Sequence, residues 1–250
     1  MTAPTPLLLL HHSGGSAQIF HELIDALPDT VAPLAWELPG RGRRWREPPV
    51  TTIEDAVADL LHATDRFEGD FVVFGHSLGA YLGLALAATL DERRGSARCT
   101  TLFASSNAAP RCAALPSEHP PLLLDDEQTY AMARRAGGRI DPRIREHPML
   151  GPQTARLLRS DFALTDTFLR GHRDAATRAD IVTVCGTDDI FTTRQLTSWQ
   201  AHTTGRHELL PFPGGHFYLE QQARALASAI APRTAPVTDR RQEIPCTPIP

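Results

Sequence analysis

Short apolar runs recur along the chain with room for one helix between most neighbours. They fall at Leu7–Leu10, Ala32–Leu38, Phe71–Phe74, Thr100–Ser105, Ile181–Val184 and Glu208–Phe212, and their length and composition read as buried strands. Helical periodicity follows at Gln18–Leu27, Ile53–Phe67, Leu78–Leu90, Thr193–His202 and Tyr218–Ile230. Strands alternating with helices predict a mostly parallel sheet covered on both faces. In such sheets ligands bind beyond the carboxyl ends of the strands, so polar motifs that follow a strand converge on one edge.

The alternation breaks between about 108 and 178, where Asp125–Ala136 and Gln153–Leu169 read as helices and no strand is evident. An insertion of this kind reads as a helical lid over the active edge; the bland alternative is a helical decoration packed elsewhere. After Ile230 the composition turns to Pro, Thr, Arg and Gln without apolar periodicity. The expected organisation is one domain over residues 1–231 carrying the lid, then a disordered tail over 232–250.

Chemistry enters at Phe71–Ala80. A strand runs into Gly75-His76-Ser77-Leu78-Gly79 and then into an apolar helix. This strand–Gly-x-Ser-x-Gly–helix order is the nucleophile elbow of an α/β-hydrolase, and it makes Ser77 the candidate nucleophile. Both glycines have a steric reason, since strand and helix pass closely on either side of a sharp turn. An ordinary helix N-cap serine would need neither.

A serine nucleophile needs a base and an orienting acid, which follow it in this fold in the order Ser, Asp or Glu, His. His216, in the loop Pro213-Gly214-Gly215-His216-Phe217 after the last strand, is the candidate base. Either carboxylate of Gly186-Thr187-Asp188-Asp189 could orient it; Asp189, three residues after Gly186, is favoured over Asp188. The tetrahedral intermediate needs two backbone donors. Leu78, directly after the nucleophile, supplies one, and Ser13 in the loop His11-His12-Ser13-Gly14-Gly15-Ser16 is the candidate for the other. The His11-His12 pair lacks a third residue spaced to complete a metal site.

Composition narrows the chemistry further. All 25 basic residues are arginine, so a Schiff-base or phosphate-loop lysine is impossible. A net charge of −4 gives no reason to expect nucleic acid or an anionic membrane as partner. The N-terminus lacks a basic region and a long apolar run, and the four cysteines follow no metal or disulfide spacing, so a cytoplasmic protein with reduced thiols is expected. Monomer is the default state.

Together these motifs resemble the type II thioesterases of polyketide and nonribosomal peptide assembly lines. Leu10–Ala17 is similar to that family's Pro-His-Ala-Gly-Gly-Ser-Ala loop, with His11 and Ser13 in place of proline and alanine. Pro39-Gly40-Arg41-Gly42-Arg43-Arg44 resembles its Pro-Gly-Arg-Gly-x-Arg loop, and Gly214-Gly215-His216-Phe217 its histidine loop. Arg159-Ser160-Asp161-Phe162 is similar to its Arg-Ala-Asp-Phe segment in the lid. The resemblance implies an α/β-hydrolase fold and cofactor-free hydrolysis of acyl groups from the phosphopantetheine arm of acyl or peptidyl carrier proteins, clearing stalled or misprimed intermediates. It marks the loop holding Arg41, Arg43, Arg44 and Arg46 without assigning a role. The cluster could meet the arm's phosphate or an acidic carrier, or could be solvated or internally paired. A small-molecule esterase, an acyltransferase or cyclase with the same triad, and an inactive carrier-binding module are the competing readings.

Overall fold

The structure is a computed structural model that describes residues 3–93 and 97–234. Its core is one six-stranded sheet: β1 (Thr5–Leu10), β2 (Val31–Trp36), β3 (Asp70–His76), β4 (Arg98–Ser105), β5 (Asp180–Gly186) and β6 (His207–Phe212). Their spatial order is β2-β1-β3-β4-β5-β6, and every neighbouring pair is parallel. Pro33 and Pro211, which cannot donate to a ladder, both lie in edge strands, where that cost is smallest.

Alternation along the strands divides two cores. Leu8, Leu10, Phe71, Val73, Leu102 and Ile181 face one side, packed beneath α2 (Ile53–Thr64) and α3 (Leu78–Glu92). Leu7, Leu9, Val72, Phe74, Phe103 and Val182 face the other, beneath α1 (His21–Ala26) and α8 (Ala223–Ile230). Helix α3 is buried on every side from Leu78 to Ala87, because the sheet lies under it and the inserted segment over it.

That segment carries α4 (Asp126–Arg135), α5 (Pro142–Glu146) and the 22-residue α6 (Leu150–Gly171). Tyr130, Met132, Leu158 and Phe162 join α4 to α6 in a small separate core. The later half of α6 belongs instead to the main core: Leu164, Phe168 and Leu169 are buried there, and Phe168 stacks on Tyr81 at 4.9 Å. After β5 comes the short α7 (Thr193–Thr197).

Several element boundaries differ from the sequence reading. The helices expected at Gln18–Leu27, Thr193–His202 and Tyr218–Ile230 each divide into an α-helix and a 3-10 turn: Ala17–Phe20, Ser198–His202 and Tyr218–Glu220. Helix α2 stops at Thr64, and helix α5 was not anticipated. The tail expected from residue 232 overlaps a final turn, Ala231–Thr234, where the Thr5 hydroxyl donates to the Thr234 carbonyl at 2.6 Å. Residues 235–250 lie outside the described residues. No helix among the described residues is long and apolar enough to cross a membrane.

Candidate active site

Ser77 closes β3 with φ 55° and ψ −114°, a conformation that costs a non-glycine residue on the order of 1–3 kcal/mol. A Cβ on Gly75 would stand 2.0 Å from the Gly79 carbonyl oxygen, and one on Gly79 would stand 2.1 Å from that of Leu10. Only glycine lets strand, turn and helix pass this closely. Although Ser77 occupies the N-cap position of α3, its hydroxyl caps nothing, which leaves it available to a ligand. The Ser77 amide donates to the Ser105 carbonyl at 2.7 Å, and the Asn107 side chain donates to the Ser77 carbonyl at 2.9 Å.

His216 Nδ1 lies 3.0 Å from Asp189 Oδ1, and the two side chains are 6% and 1% exposed. Of the two neighbouring aspartates, Asp188 points to solvent. Burial pushes the Asp189 pKa up, but the His216 hydrogen bond and charge, then Ser106 and the Ile190 amide, outweigh it, so the net direction is down. Asp189 Oδ2 and Ser106 Oγ are both buried without a partner at full hydrogen-bonding geometry. With Nδ1 donating to a carboxylate, the free Nε2 of the ring is left as a proton acceptor. Among the described residues no hydrogen bond joins Ser77 Oγ to His216, although both line one cavity. Such contacts are commonly loose before substrate binds.

The amide of Leu78, first in α3, and that of Ser13 have no partner within the described chain, and both residues line the cavity that holds Ser77. The neighbouring loop amides are occupied: Gly15 donates to the His12 carbonyl at 3.1 Å and Gly14 to Asp161 Oδ2 at 2.7 Å.

Three further histidines surround this loop. His11 is fully buried; its Nδ1 donates to the His12 carbonyl at 2.8 Å and its Nε2 accepts the Leu38 amide at 3.3 Å. Burial, then the Arg41 charge, lowers its pKa to about 3. His12 exposes part of its ring to the cavity, packs edge-on against Phe217 at 4.9 Å, and is likewise lowered to about 3, first by burial. His76 is fully buried and held neutral by burial and by His216 and His12, with Nδ1 2.9 Å from the Ser105 hydroxyl, itself 2.9 Å from the Tyr218 hydroxyl. Burial thus holds all three rings neutral, and two of them, His11 and His76, are wholly enclosed.

The arginine loop divides. Arg41, considered from sequence as a phosphate or carrier contact, is buried and grips Asp161 of α6 through two bonds of 2.6 Å. Arg44, considered with it, is spent on Glu47 and Asp59. A partner approaching from outside cannot use either guanidinium without breaking those pairs. Arg43 alone of the three is exposed with no side-chain partner among the described residues, beside Arg46 over the exposed Trp45 ring at 4.8 Å.

The cavity holds roughly 330 Å³, with Leu78, Tyr81, Met132, Phe162 and Phe191 among its apolar walls and Asn107 among its polar lining residues. Lid residues from α4 and α6 roof it. A Cβ on Gly137, just after α4 at φ +84°, would stand 2.9 Å from the His216 ring. The inserted segment therefore lies against the cavity that Ser77 and His216 line. Sequence reasoning missed Asn107, Ser106 and the pairing role of Asp161. The first two follow β4 at its carboxyl end, a position that marks residues near the site in such sheets.

Known proteins resemble this chain over nearly its whole length. The thioesterase domain family matches residues 5–234. Thioesterase PikA5 of Streptomyces venezuelae is 32% identical over 229 residues, spanning 90% of this chain and 79% of that protein. The solved type II thioesterase BorB from the borrelidin biosynthetic cluster is 31% identical, covers 93% of each chain and superposes with a TM-score of 0.77. RedJ, the thioesterase of the prodiginine pathway in Streptomyces coelicolor, is 28% identical, with 92% and 91% of the two chains covered and a TM-score of 0.78. From β1 to its last described turn, this chain belongs to the thioesterase family of α/β-hydrolase fold, enzymes that hydrolyse thioesters.

Proposed function

We propose that this enzyme removes acyl or aminoacyl groups from the phosphopantetheine arms of carrier proteins by a Ser77–His216–Asp189 acyl-enzyme mechanism, clearing stalled or misprimed intermediates of an assembly line. The observation that carries the reading is the buried His216–Asp189 pair facing the cavity into which the strained Ser77 opens. Ser77 Oγ attacks the thioester carbonyl while His216 Nε2 takes its proton, and Asp189 stabilises the imidazolium. The Ser13 and Leu78 amides receive the oxyanion. On collapse the C–S bond breaks, and the pantetheine sulfur leaves with the proton from His216. Water, deprotonated by the same ring, then cleaves the Ser77 ester and releases the free acid.

The resemblance of the Pro-Gly-Arg-Gly-x-Arg and Gly-Gly-His-Phe loops to those of type II thioesterases supports a carrier-borne substrate over a free ester. Intact-protein mass spectrometry on a panel of acylated carrier proteins tests this. Wild-type enzyme should return holo-carrier, and Ser77→Ala should leave the acyl groups in place and lose fluorophosphonate labelling. Preference for oxygen esters over pantetheine thioesters of the same acyl group would favour an esterase. Persistent turnover by Ser77→Ala would remove the mechanism.

A further inference from the structure

We propose that Asp161, on lid helix α6, is a positioning residue for the oxyanion site, acting through the Gly14 amide with Arg41 as its counter-charge. The inference rests on the acyl-enzyme reading above. The turn after β1 presents three consecutive amides, and only one faces the cavity unbonded. Gly15 N–H is taken by the His12 carbonyl and Gly14 N–H by Asp161 Oδ2, leaving Ser13 N–H. A carboxylate that accepts one amide of a tight turn dictates where the preceding amide points. Leu158, one turn earlier on α6, backs the same loop: a Cβ on Gly14 would reach its Cδ2 at 2.7 Å.

Arg41 explains why a carboxylate is tolerated there. An unpaired buried negative charge beside a developing oxyanion would oppose the transition state it is meant to serve. The guanidinium meets both carboxylate oxygens at 2.6 Å and reaches the Gly15 carbonyl at 3.3 Å, so the pair closes around the loop. Both side chains are nearly inaccessible, at 5% and 1% exposure. Two loops and the lid, distant in sequence, are thereby held in one register.

The test separates positioning from folding with two paired substitutions in the full chain. Arg41→Met/Asp161→Leu removes both charges and the Gly14 acceptor while keeping bulk; exchanging a buried ion pair for apolar residues is often neutral for stability. Arg41→Gln/Asp161→Asn removes the charges and keeps an acceptor. Each is assayed on a pantetheine thioester, per active site titrated with fluorophosphonate, and for binding of an alkyl boronic acid, a tetrahedral mimic, against a non-reactive thioether analogue. Loss of a whole oxyanion donor costs about 100- to 1,000-fold, so misplacing one should lower kcat of the apolar pair by about 10- to 100-fold. Its KM and thioether affinity should stay within about twofold, and boronic acid affinity should fall by the same factor as kcat. The amide pair should remain within about threefold of wild type.

Three results would overturn the proposal: a folded apolar pair with unchanged kcat, parallel loss of thioether and boronic acid binding, or an amide pair as impaired as the apolar one. Should the apolar pair fail to fold, Arg41→Gln/Asp161→Ala takes its place with the same expected loss. Absence of thioester turnover and boronic acid binding in the wild type would instead remove the parent mechanism, and this inference with it.

Discussion

Replacing Asp189 by asparagine isolates what its charge contributes to catalysis. In the structure Asp189 Oδ1 faces His216 Nδ1 at 3.0 Å and also accepts the Ile190 amide at 2.7 Å, while Oδ2 is buried without a partner and the Ser106 hydroxyl lies near the carboxylate. An asparagine can keep its oxygen at the first position and donate its NH₂ toward Ser106. The ring therefore keeps its tautomer, and only the charge is lost. Opposite charges about 4 Å apart at an effective dielectric of about 20 attract by about 4 kcal/mol, or nearly a thousandfold in rate if fully expressed in the transition state. Because proton transfer there is incomplete, Asp189→Asn should lower kcat by about 100- to 1,000-fold with little change in KM. Asp188→Asn, at an exposed side chain, should stay within about twofold of wild type. Steady-state hydrolysis of an acyl-pantetheine thioester, normalised to titrated sites, reads both. The reverse ranking, or less than a tenfold loss in Asp189→Asn, would sink the assignment.

Other expectations follow from single features. Gly79→Ala forces a Cβ to within 2.1 Å of the Leu10 carbonyl oxygen, where backbone must yield; overpacking of this kind costs about 1–3 kcal/mol, seen as a fall of roughly 3–10 °C in thermal midpoint. An unchanged midpoint would mean that β1 and α3 are further apart than described. His11, neutral when folded with a pKa near 3, gains a proton on unfolding below its ordinary value of 6.5, so stability present at neutral pH is lost as pH falls. His11 alone loses about 1.4 kcal/mol by pH 5.5, and His12 and His76 add to it in the same direction, so the urea midpoint should fall between pH 7.5 and 5.5; a flat profile would contradict it. Arg43→Ala should raise KM for acyl-carrier substrates several-fold and leave that for acyl-pantetheine unchanged, since Arg43 is the exposed, unspent member of its loop. Equal effects on both substrates would remove it from carrier contact.

What could be read from the sequence follows the range of the interactions involved. Buried parallel strands announce themselves as unbroken apolar runs, so all six were legible at Leu7–Leu10 and its five counterparts to within three residues at either end. The elbow and the Gly186-to-Asp189 spacing are local turn geometry, and local geometry survives in sequence. Helix α5, five residues long, is too short to express a helical period, though Asp141 before Pro142 is an ordinary start signal. The burial of Arg41 was illegible for another reason. An arginine-rich loop reads equally as solvated or internally paired, and nothing local to Arg41 points 120 residues ahead to the carboxylate that neutralises it. Both motifs were visible separately, as Pro-Gly-Arg-Gly and Arg-Ser-Asp-Phe; that they bind each other is tertiary information.

The placement of the Ser13 and Leu78 amides also has a topological cause. From β1 the chain crosses by α1 to β2 on one side, and from β3 it crosses by α3 to β4 on the other. Right-handed crossovers running in opposite directions must use opposite faces, and α1 and α3 do lie against the two different cores. The loops leaving β1 and β3 therefore splay apart at their carboxyl ends, opening a crevice between adjacent strands whose edge amides have no ladder partner. Ser13 and Leu78 are the residues on its two lips, and Ser77 stands between them on the β3 side. A crevice made by diverging loops is wide by default. Asp161 and Leu158 fill the side from which the β1 loop would otherwise swing away, and the later half of α6 is anchored in the main core through Phe168 and Leu169. The one helix therefore meets both cores: its Leu158 packs with Tyr130 and Met132 of α4 in the smaller one, and the turn after α4 is so close to the site that a Cβ on Gly137 would stand 2.9 Å from the His216 ring.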